Sequence, residues 1–392
     1  MSIGKRNWFV LDKKTVYLTH GTFGGCLKVA FDNRVNWHQK IESDPFDFIN
    51  NHAFNNLEHS RKILSNYLNC DYQDLVYFPN PSTALNAVIK SIDLSNDDEV
   101  LTTNHEYGSL DRTWKYYASL KDYNYKQINI DIPYDDKNTF INSFLNQITN
   151  KTKIIYLSHI TSSTGLIFPV KEICEIARNH NILSIVDGAH APGQIPVDIS
   201  EINPDIYVGA CHKWMCSPKG GSFLYAKKTI QQSIDPLVIS WGWESDNPGK
   251  SQFIDYHQYQ GTNDISSYLT IPVIVDFFKK NNWFNVQKKC HELVVNFLNN
   301  HKDIIIPCSN NHNHFAQMLS FKINSDSRLV NSVLNNPNEI INAQNKIFDY
   351  SRIRIPIIVW NQEIFMRVSI QAYNTPQDLE KMFKMLEYFN LF

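Results

Sequence analysis

The residues best suited to chemistry in this sequence fall within residues 183–227. An apolar run there ends in Asp187, and His190 follows three residues later. A second apolar run leads into His212 and Lys213. Side chains that follow buried strands of an open α/β sheet face the crevice in which such sheets bind ligands. The spacing therefore predicts that a carboxylate, two imidazoles and an amine meet at one edge of a sheet.

This set of side chains suits a pyridine cofactor that carries an aldehyde and a phosphate. The amine of Lys213 would form a Schiff base with the aldehyde. The carboxylate of Asp187 would keep the ring nitrogen protonated, which makes the ring an acceptor for the electron pair of a substrate carbanion. Taken singly, Asp187 could cap a helix and Lys213 could be a solvated surface lysine, but their ordered combination favours the cofactor site.

The same residues carry a resemblance to a known family. D-G-A-H-A followed by H-K-W resembles the class V aminotransferase family of fold-type I pyridoxal-phosphate enzymes, and H-K-W-x-C-x-P-K-G is similar to its isopenicillin N epimerase-like subgroup. The resemblance, which extends over about residues 15–390, implies pyridoxal 5'-phosphate as the cofactor. It implies Lys213 at the Schiff base, Asp187 at the pyridine nitrogen, His190 near the ring hydroxyl and His212 at the phosphate.

Other positions of the motif pattern imply further cofactor contacts. Ser82 and Thr83 stand at the start of a predicted helix, where hydroxyls and free N–H groups bind anions. A plain N-cap is the alternative for these two residues, and the resemblance supplies the phosphate. It also implies that Tyr107 stacks on the pyridine face. Ser162 would hydrogen-bond the cofactor hydroxyl or the substrate.

Arg367 is the candidate for binding a substrate carboxylate. It is the one charge in the apolar run 365–370, and a guanidinium there needs a partner such as an α-carboxylate, which it can bind bidentately. An internal salt bridge is the alternative, and Arg354 is a second substrate-binding candidate. The resemblance further implies a homodimer in which Thr262 reaches across the interface to the partner's phosphate. Asn263 follows it where many relatives have arginine, so Asn263 is a third substrate-binding candidate.

The elements that must position these residues alternate between strand and helix from about residue 52 onward. Such alternation predicts an α/β fold with a mostly parallel sheet and helices on both faces. Together with the resemblance, it predicts a fold-type I architecture in three parts. These are an N-terminal arm and helix joining the small domain (1–50), a large cofactor-binding domain (51–270) and a small α+β C-terminal domain (271–392).

Composition excludes several other classes of function. The 392 residues carry a formal charge of −2, so neither nucleic acid nor an anionic membrane is a predicted partner. The seven cysteines are odd in number and form no CxxC pair, so no disulfide framework and no metal site is predicted. An N-terminus without an apolar signal region and the absence of a long apolar stretch predict a cytoplasmic enzyme.

The predicted reaction takes place at the Cα atom of an amino acid. Arg367 would orient the α-carboxylate, and Lys213, displaced from the aldehyde, would be the general base for the Cα proton. Epimerisation, or racemisation, is the first prediction, with β-elimination by a C–S lyase and transamination as alternatives. A cysteine desulfurase is disfavoured because no cysteine lies between Asp349 and Arg367. A non-catalytic protein of this fold is disfavoured because Lys213 and Asp187 are both present.

Overall fold

The computed structural model describes residues 4–134 and 136–392. Its strands are β1 (Val16–Tyr17), β2 (Leu75–Phe78), β3 (Glu99–Thr103), β4 (Asn124–Ile128), β5 (Thr152–Ser158), β6 (Leu183–Asp187), β7 (Ile206–Ala210), β8 (Ser222–Ala226), β9 (Ile306–Pro307), β10 (Met318–Lys322), β11 (Ile353–Arg354), β12 (Ile357–Trp360) and β13 (Glu363–Ser369).

Its α-helices are α1 (His20–Phe23), α2 (Lys28–Ser43), α3 (Pro45–Asp47), α4 (Ala53–Leu68), α5 (Pro81–Ser91), α6 (Gly108–Lys121), α7 (Lys137–Leu145), α8 (Val170–Asn179), α9 (Ile199–Ile202), α10 (Gln252–Gln258), α11 (Ser266–Leu269), α12 (Ile271–Lys280), α13 (Trp283–Asn300), α14 (Glu339–Ser351) and α15 (Pro376–Tyr388). Short 3₁₀ turns lie at Arg6–Trp8, Tyr72–Asp74, Gln231–Ser233 and His312–His314, and a π-helical turn lies at Phe48–His52.

A seven-stranded sheet forms the centre of the molecule, in the order β2-β8-β7-β6-β5-β3-β4. Every neighbouring pair is parallel except the two pairs that involve β8, which runs against β2 and β7. Helices bury both faces, which is why strands such as β7 and β8 are buried along their whole length. The predicted α/β fold of the fold-type I class is therefore confirmed.

The register of this sheet brings the ends of five strands to one edge. Asp187 at the end of β6 is paired with Ser158 at the end of β5 and with Val208 in β7. Ser222 at the start of β8 is paired with Ala210 and with Phe78, the last residues of β7 and β2. The turns that follow β2, β5, β6 and β7, and the turn that precedes β8, consequently meet at this edge.

A second sheet of four antiparallel strands, β12-β13-β10-β9, carries Arg367 opposite Ser320. The N-terminal segment is joined to this part of the chain because β1 pairs in parallel with β11. The seven-stranded sheet falls within the range predicted for the large domain and the four-stranded sheet within that of the small one. The exact domain boundaries stay predictions.

Prolines and caps set several element boundaries. Pro356 separates β11 from β12, because it has no N–H with which to continue a ladder. Pro169 precedes α8 as its N-cap. At the start of α15 the N–H of Thr375 donates to the carboxylate of Asp378 over 3.0 Å.

Candidate active site

Asp187 is a buried carboxylate that lacks a cationic partner. Its side chain is at the end of β6, and the residue is 4% exposed. One oxygen accepts from the N–H of Ala189 over 2.9 Å, and the other accepts from the hydroxyl of Tyr156 over 3.4 Å. No lysine or arginine in the described part of the chain forms an ion pair with it. Burial raises the pKa of Asp187, and a positively charged donor that entered the site would stabilise its ionised carboxylate.

Lys213 lies in the turn after β7, at the same edge of the sheet. Its Nζ atom is 3.1 Å from Nε2 of His190 and 5.9 Å from the centre of the Tyr107 ring. Burial lowers the pKa of Lys213 to about 8, an effect that the charge of Asp187 opposes and that of Arg367 reinforces. The amine is consequently a far better nucleophile and base near neutral pH than a solvated lysine.

His212 and α5 form the side of the site that suits an anion. Nδ1 of His212 donates to the carbonyl oxygen of Gly221 over 2.9 Å, which leaves Nε2 for another partner. Because Phe78 is paired with Ser222, the start of α5 lies at the same edge as Gly221. Burial lowers the pKa of His212 to about 4, and an anion bound beside this imidazole would favour its protonated form.

Asn80, and not Ser82 or Thr83, is the N-cap of α5. Its side-chain oxygen accepts from the N–H of Thr83 over 2.8 Å and from the Thr83 hydroxyl over 3.0 Å. Both candidate phosphate ligands are half-buried in the first turn of the helix. The N-cap of α5 is therefore Asn80, and the hydroxyl of Ser82 does not cap the helix.

Arg367 is 3% exposed and is held between α1 and the loop after β5. One terminal nitrogen donates to the carbonyl and, over 3.3 Å, to the hydroxyl of Ser162, and the other donates to the hydroxyl of Thr22 over 2.9 Å. Its Nε atom is buried without a partner, and no carboxylate of the described residues pairs with the guanidinium. The internal salt bridge that the sequence left open does not form among the described residues, and Ser162 contacts the guanidinium of Arg367.

Three predicted residues are not brought to this cluster. The guanidinium of Arg354 lies 3.5 Å above the Phe348 ring and donates to Asn345 over 3.3 Å, which satisfies it on α14. The prediction that Arg354 binds substrate is therefore not supported by its position. Thr262 and Asn263 are exposed on a loop, where the Thr262 hydroxyl lies 3.3 Å from that of Tyr259.

The N-terminal glycine-rich segment packs directly on the lysine turn. Gly24 has φ +70°, and a Cβ atom there would lie 2.0 Å from the carbonyl oxygen of His212, so only glycine fits. The imidazole of His20 lies 3.1 Å from the carbonyl oxygen of Lys213. Thr22, on the same segment, accepts a hydrogen bond from Arg367, so this segment connects the lysine turn to the arginine.

Sequence reasoning missed Glu106, Thr22, Tyr156 and Trp214 as members of the site. Glu106 is 7% exposed and accepts from the hydroxyls of Thr103 and Ser158, each over 2.7 Å. A charged residue directly before Tyr107, at the end of a buried strand, was a signal that could have identified it. Within residues 4–134 and 136–392, no group of three or more His, Cys, Asp or Glu is arranged to hold a metal ion.

The match to known proteins agrees with this geometry. The model of the family Aminotransferase class-V matches residues 39–382. The chain belongs to this family. It is a pyridoxal 5'-phosphate-dependent enzyme, and its residues fit that cofactor: a lysine amine with lowered pKa and a buried carboxylate without a cation occupy one edge of the sheet.

Relatives within the family catalyse different reactions. The chain is 28% identical over 282 residues to isopenicillin N epimerase of Streptomyces clavuligerus, covering 69% of this chain and 71% of the relative. It is 26% identical to L-cysteine desulfhydrase of Arabidopsis thaliana, covering 67% and 60%. A solved structure of a cystine C–S lyase with cysteine persulfide has a TM-score of 0.82 at 20% identity, covers 96% of this chain and 98% of that one, and shows the shared fold.

None of the helices in the described residues is both long and apolar enough to cross a membrane.

Proposed function

We propose that this enzyme acts at the Cα atom of an amino acid as an epimerase or racemase similar to isopenicillin N epimerase. The observation that carries the proposal is Arg367. A buried guanidinium whose Nε lacks a partner is costly, and a substrate α-carboxylate would satisfy it with two charge-assisted hydrogen bonds. The class of substrate follows, because the carboxylate held by Arg367 would bring Cα toward Lys213.

The residues of the site would have three roles: binding the cofactor phosphate, contacting the cofactor ring and removing the Cα proton. Ser82, Thr83 and His212 would hold the phosphate of the cofactor, His190 would face its ring hydroxyl and Asp187 its ring nitrogen. Pyridoxal 5'-phosphate, when bound, supplies an acceptor for the electron pair left at Cα. Lys213 would remove the Cα proton as a general base, and its lowered pKa makes this possible near neutral pH.

Inversion at Cα needs a second proton donor on the side opposite Lys213. Tyr107 is the candidate, because the centre of its ring lies 5.9 Å from the lysine amine and the residue is 43% exposed. A phenol can both stack on the cofactor and give up a proton. Lys213 and Tyr107 together would form the acid–base pair that an epimerase requires.

A C–S lyase is the second candidate function. The similarity to L-cysteine desulfhydrase favours it, and elimination of a β-substituent needs only the removal of the Cα proton by Lys213. Class V aminotransferase activity is a further alternative, since it begins with the same proton removal. Cysteine desulfurase activity is disfavoured: residues 350–366 contain no cysteine and include a hairpin whose turn residues, Asn361 and Gln362, have positive φ angles.

We also propose a homodimer in which Thr262 binds the phosphate held by the partner subunit. Thr262 and Asn263 are exposed and have no contact with Lys213 in their own chain. Phe46 and Phe54, which are 80% and 49% exposed, would be covered in a dimer. Asn263 would then lie near the substrate of the other subunit.

A cytoplasmic location is proposed as well. All seven cysteines are free in the structure, as expected in a reducing compartment. Redox labelling of the cysteines in cells would test this assignment.

The function is tested by incubating the enzyme with a panel of amino acids in deuterated water. Deuterium at Cα together with loss of optical activity would support epimerisation. Release of a keto acid with the leaving group would support the lyase, and a keto acid with an aminated cofactor would support the aminotransferase. Lys213→Ala is the control, and deuterium exchange that persisted in this variant would contradict the role of the lysine.

A further inference from the structure

His190 is held between two nitrogen atoms in the buried part of the site. Its Nδ1 atom lies 3.3 Å from Nε1 of Trp214, and its Nε2 atom lies 3.1 Å from Nζ of Lys213. His190 is 3% exposed and Trp214 is fully buried. Both partners of the imidazole are therefore fixed by the packing of the chain itself.

The chemistry of the indole determines where the proton of His190 lies. An indole N–H can only donate, so Nδ1 of His190 must accept and carries no proton. A neutral imidazole then has its proton on Nε2, the atom that faces Lys213. Because an ammonium group has no lone pair, Nε2–H can donate only to the uncharged amine of Lys213, and this hydrogen bond therefore favours the uncharged form.

We propose that Trp214 is a positioning residue: its indole N–H fixes the tautomer of His190, so that His190 donates to Lys213 and favours the uncharged amine that captures the cofactor. The inference rests on the proposed function, since only a lysine that reacts with an aldehyde needs this state. Lys213 would form a carbon–nitrogen double bond to the aldehyde carbon, and its two amine hydrogens would leave with the aldehyde oxygen as water.

The charged and titratable groups around the pair act in both directions. Asp187 favours the ammonium form of Lys213, whereas Arg367 disfavours it. Burial contributes most to lowering the pKa of His190, and the charges of Lys213, Arg367, His212 and His20 lower it further. A neutral His190 is thus expected across the physiological range, which is the condition that the tautomer argument requires.

Trp214 is itself tightly positioned. Its ring centre lies 4.8 Å from that of His20, and its carbonyl oxygen would lie 2.3 Å from a Cβ atom at position 193, where Gly193 has φ +88°. The indole therefore has little freedom to turn its N–H away from His190. A phenylalanine in its place would keep most of the packing and remove only this donor.

The test uses full-length enzyme freed of cofactor, with Trp214→Phe as the variant and Trp114→Phe as the control. Trp114 is also fully buried, but its N–H has no partner among the described residues. The probe is acetic anhydride, and the pH dependence of Lys213 acetylation is read by mass spectrometry. We expect the midpoint for Lys213 to rise by about one pH unit in Trp214→Phe, because Nε2 could then accept from an ammonium group. Uptake of pyridoxal phosphate at pH 7, followed by visible absorbance, should slow by roughly three- to tenfold.

A midpoint in Trp214→Phe equal to that of the wild type, or an equal rise in Trp114→Phe, would overturn the proposal. Should Trp214→Phe not fold, nitrogen-15 spectra of histidine-labelled wild type decide the matter, with His190→Gln used for assignment. A proton found on Nδ1 of His190 would then refute it. Acetylation needs no cofactor, so a wild type that never binds pyridoxal phosphate would defeat the proposed function separately.

Discussion

Ser158 lies opposite Asp187 in the register of β5 and β6, and its hydroxyl donates to the carboxyl group of Glu106 over 2.7 Å. The buried carboxyl groups of Asp187 and Glu106 therefore lie close to the same residue, Ser158, at the end of β5. Burial, with a smaller contribution from the charge of Asp187, raises the pKa of Glu106 to about 8. Glu106 thus holds a proton at neutral pH that an unfolded chain would release.

Glu106→Gln should change how stability depends on pH. The pKa of Glu106 in the folded state is raised above its value in the unfolded chain. The stability that proton binding contributes is therefore fully present below about pH 4 and is lost as pH rises through 8. Between pH 5 and 8 the wild type should lose this contribution and the variant should not. The free energy of unfolding of the variant, relative to that of the wild type, should therefore rise by on the order of 1–3 kcal/mol. Urea denaturation of cofactor-free protein measures it. Glu387→Gln, at an exposed site, is the control, and a pH-independent difference would contradict the expectation.

Arg367→Lys should weaken substrate binding. A lysine cannot reproduce the planar pair of N–H donors, so kcat/KM should fall by roughly 10- to 100-fold. The visible absorbance of the bound cofactor should stay as in the wild type. Arg354→Lys is the matched control, because its guanidinium is engaged by Phe348 and Asn345, and equal losses in the two variants would argue against a specific role for Arg367.

Asp187→Asn should separate cofactor binding from catalysis. The amide is nearly the same size, but it removes the negative charge that would hold the ring nitrogen protonated. Exchange of the Cα proton should slow by on the order of 10²- to 10³-fold, while Lys213 still binds the cofactor. Nuclear magnetic resonance of the substrate in deuterated water follows the exchange, and a variant with wild-type exchange would remove Asp187 from its role.

Tyr107→Phe should separate proton removal from inversion. If Tyr107 is the second acid, exchange at Cα continues with the original configuration while inversion falls by on the order of 10²-fold. Chiral chromatography of the substrate, run beside the exchange assay, measures the ratio. Tyr116→Phe, which alters another exposed tyrosine, serves as control. Equal losses of exchange and inversion would indicate a stacking role alone.

Mixed dimers test whether Thr262 acts across the interface. Lys213→Ala and Thr262→Val chains should each have little activity. Refolded together in equal amounts, they should recover about a quarter of native sites, because half the dimers are mixed and one site in each is intact. No recovery would mean that Thr262 acts in its own chain or not at all.

The sequence predicted the residues that follow buried strands, and long-range contacts explain what it did not predict. Asp187 and Lys213 were predicted because a strand end fixes where the next side chains lie, whereas Tyr107 was predicted from the family resemblance. Arg354 resembled Arg367 in sequence, yet its position beside α14 gives it different partners. The hydrogen bond from Trp214 to His190 depends on how two turns pack against each other, which a local sequence pattern does not predict.

The bond between Thr22 and Arg367 joins residues 345 positions apart. A chain growing on the ribosome exposes Asp187 and Lys213 well before Arg367 is made. The seven-stranded sheet, whose strands lie between residues 75 and 226, can therefore form during synthesis, whereas the contacts of Arg367 with Thr22 and Ser162 form only near the end of translation. The edge that carries Asp187 and Lys213 would thus exist before the arginine that we propose as the substrate-binding residue is in place.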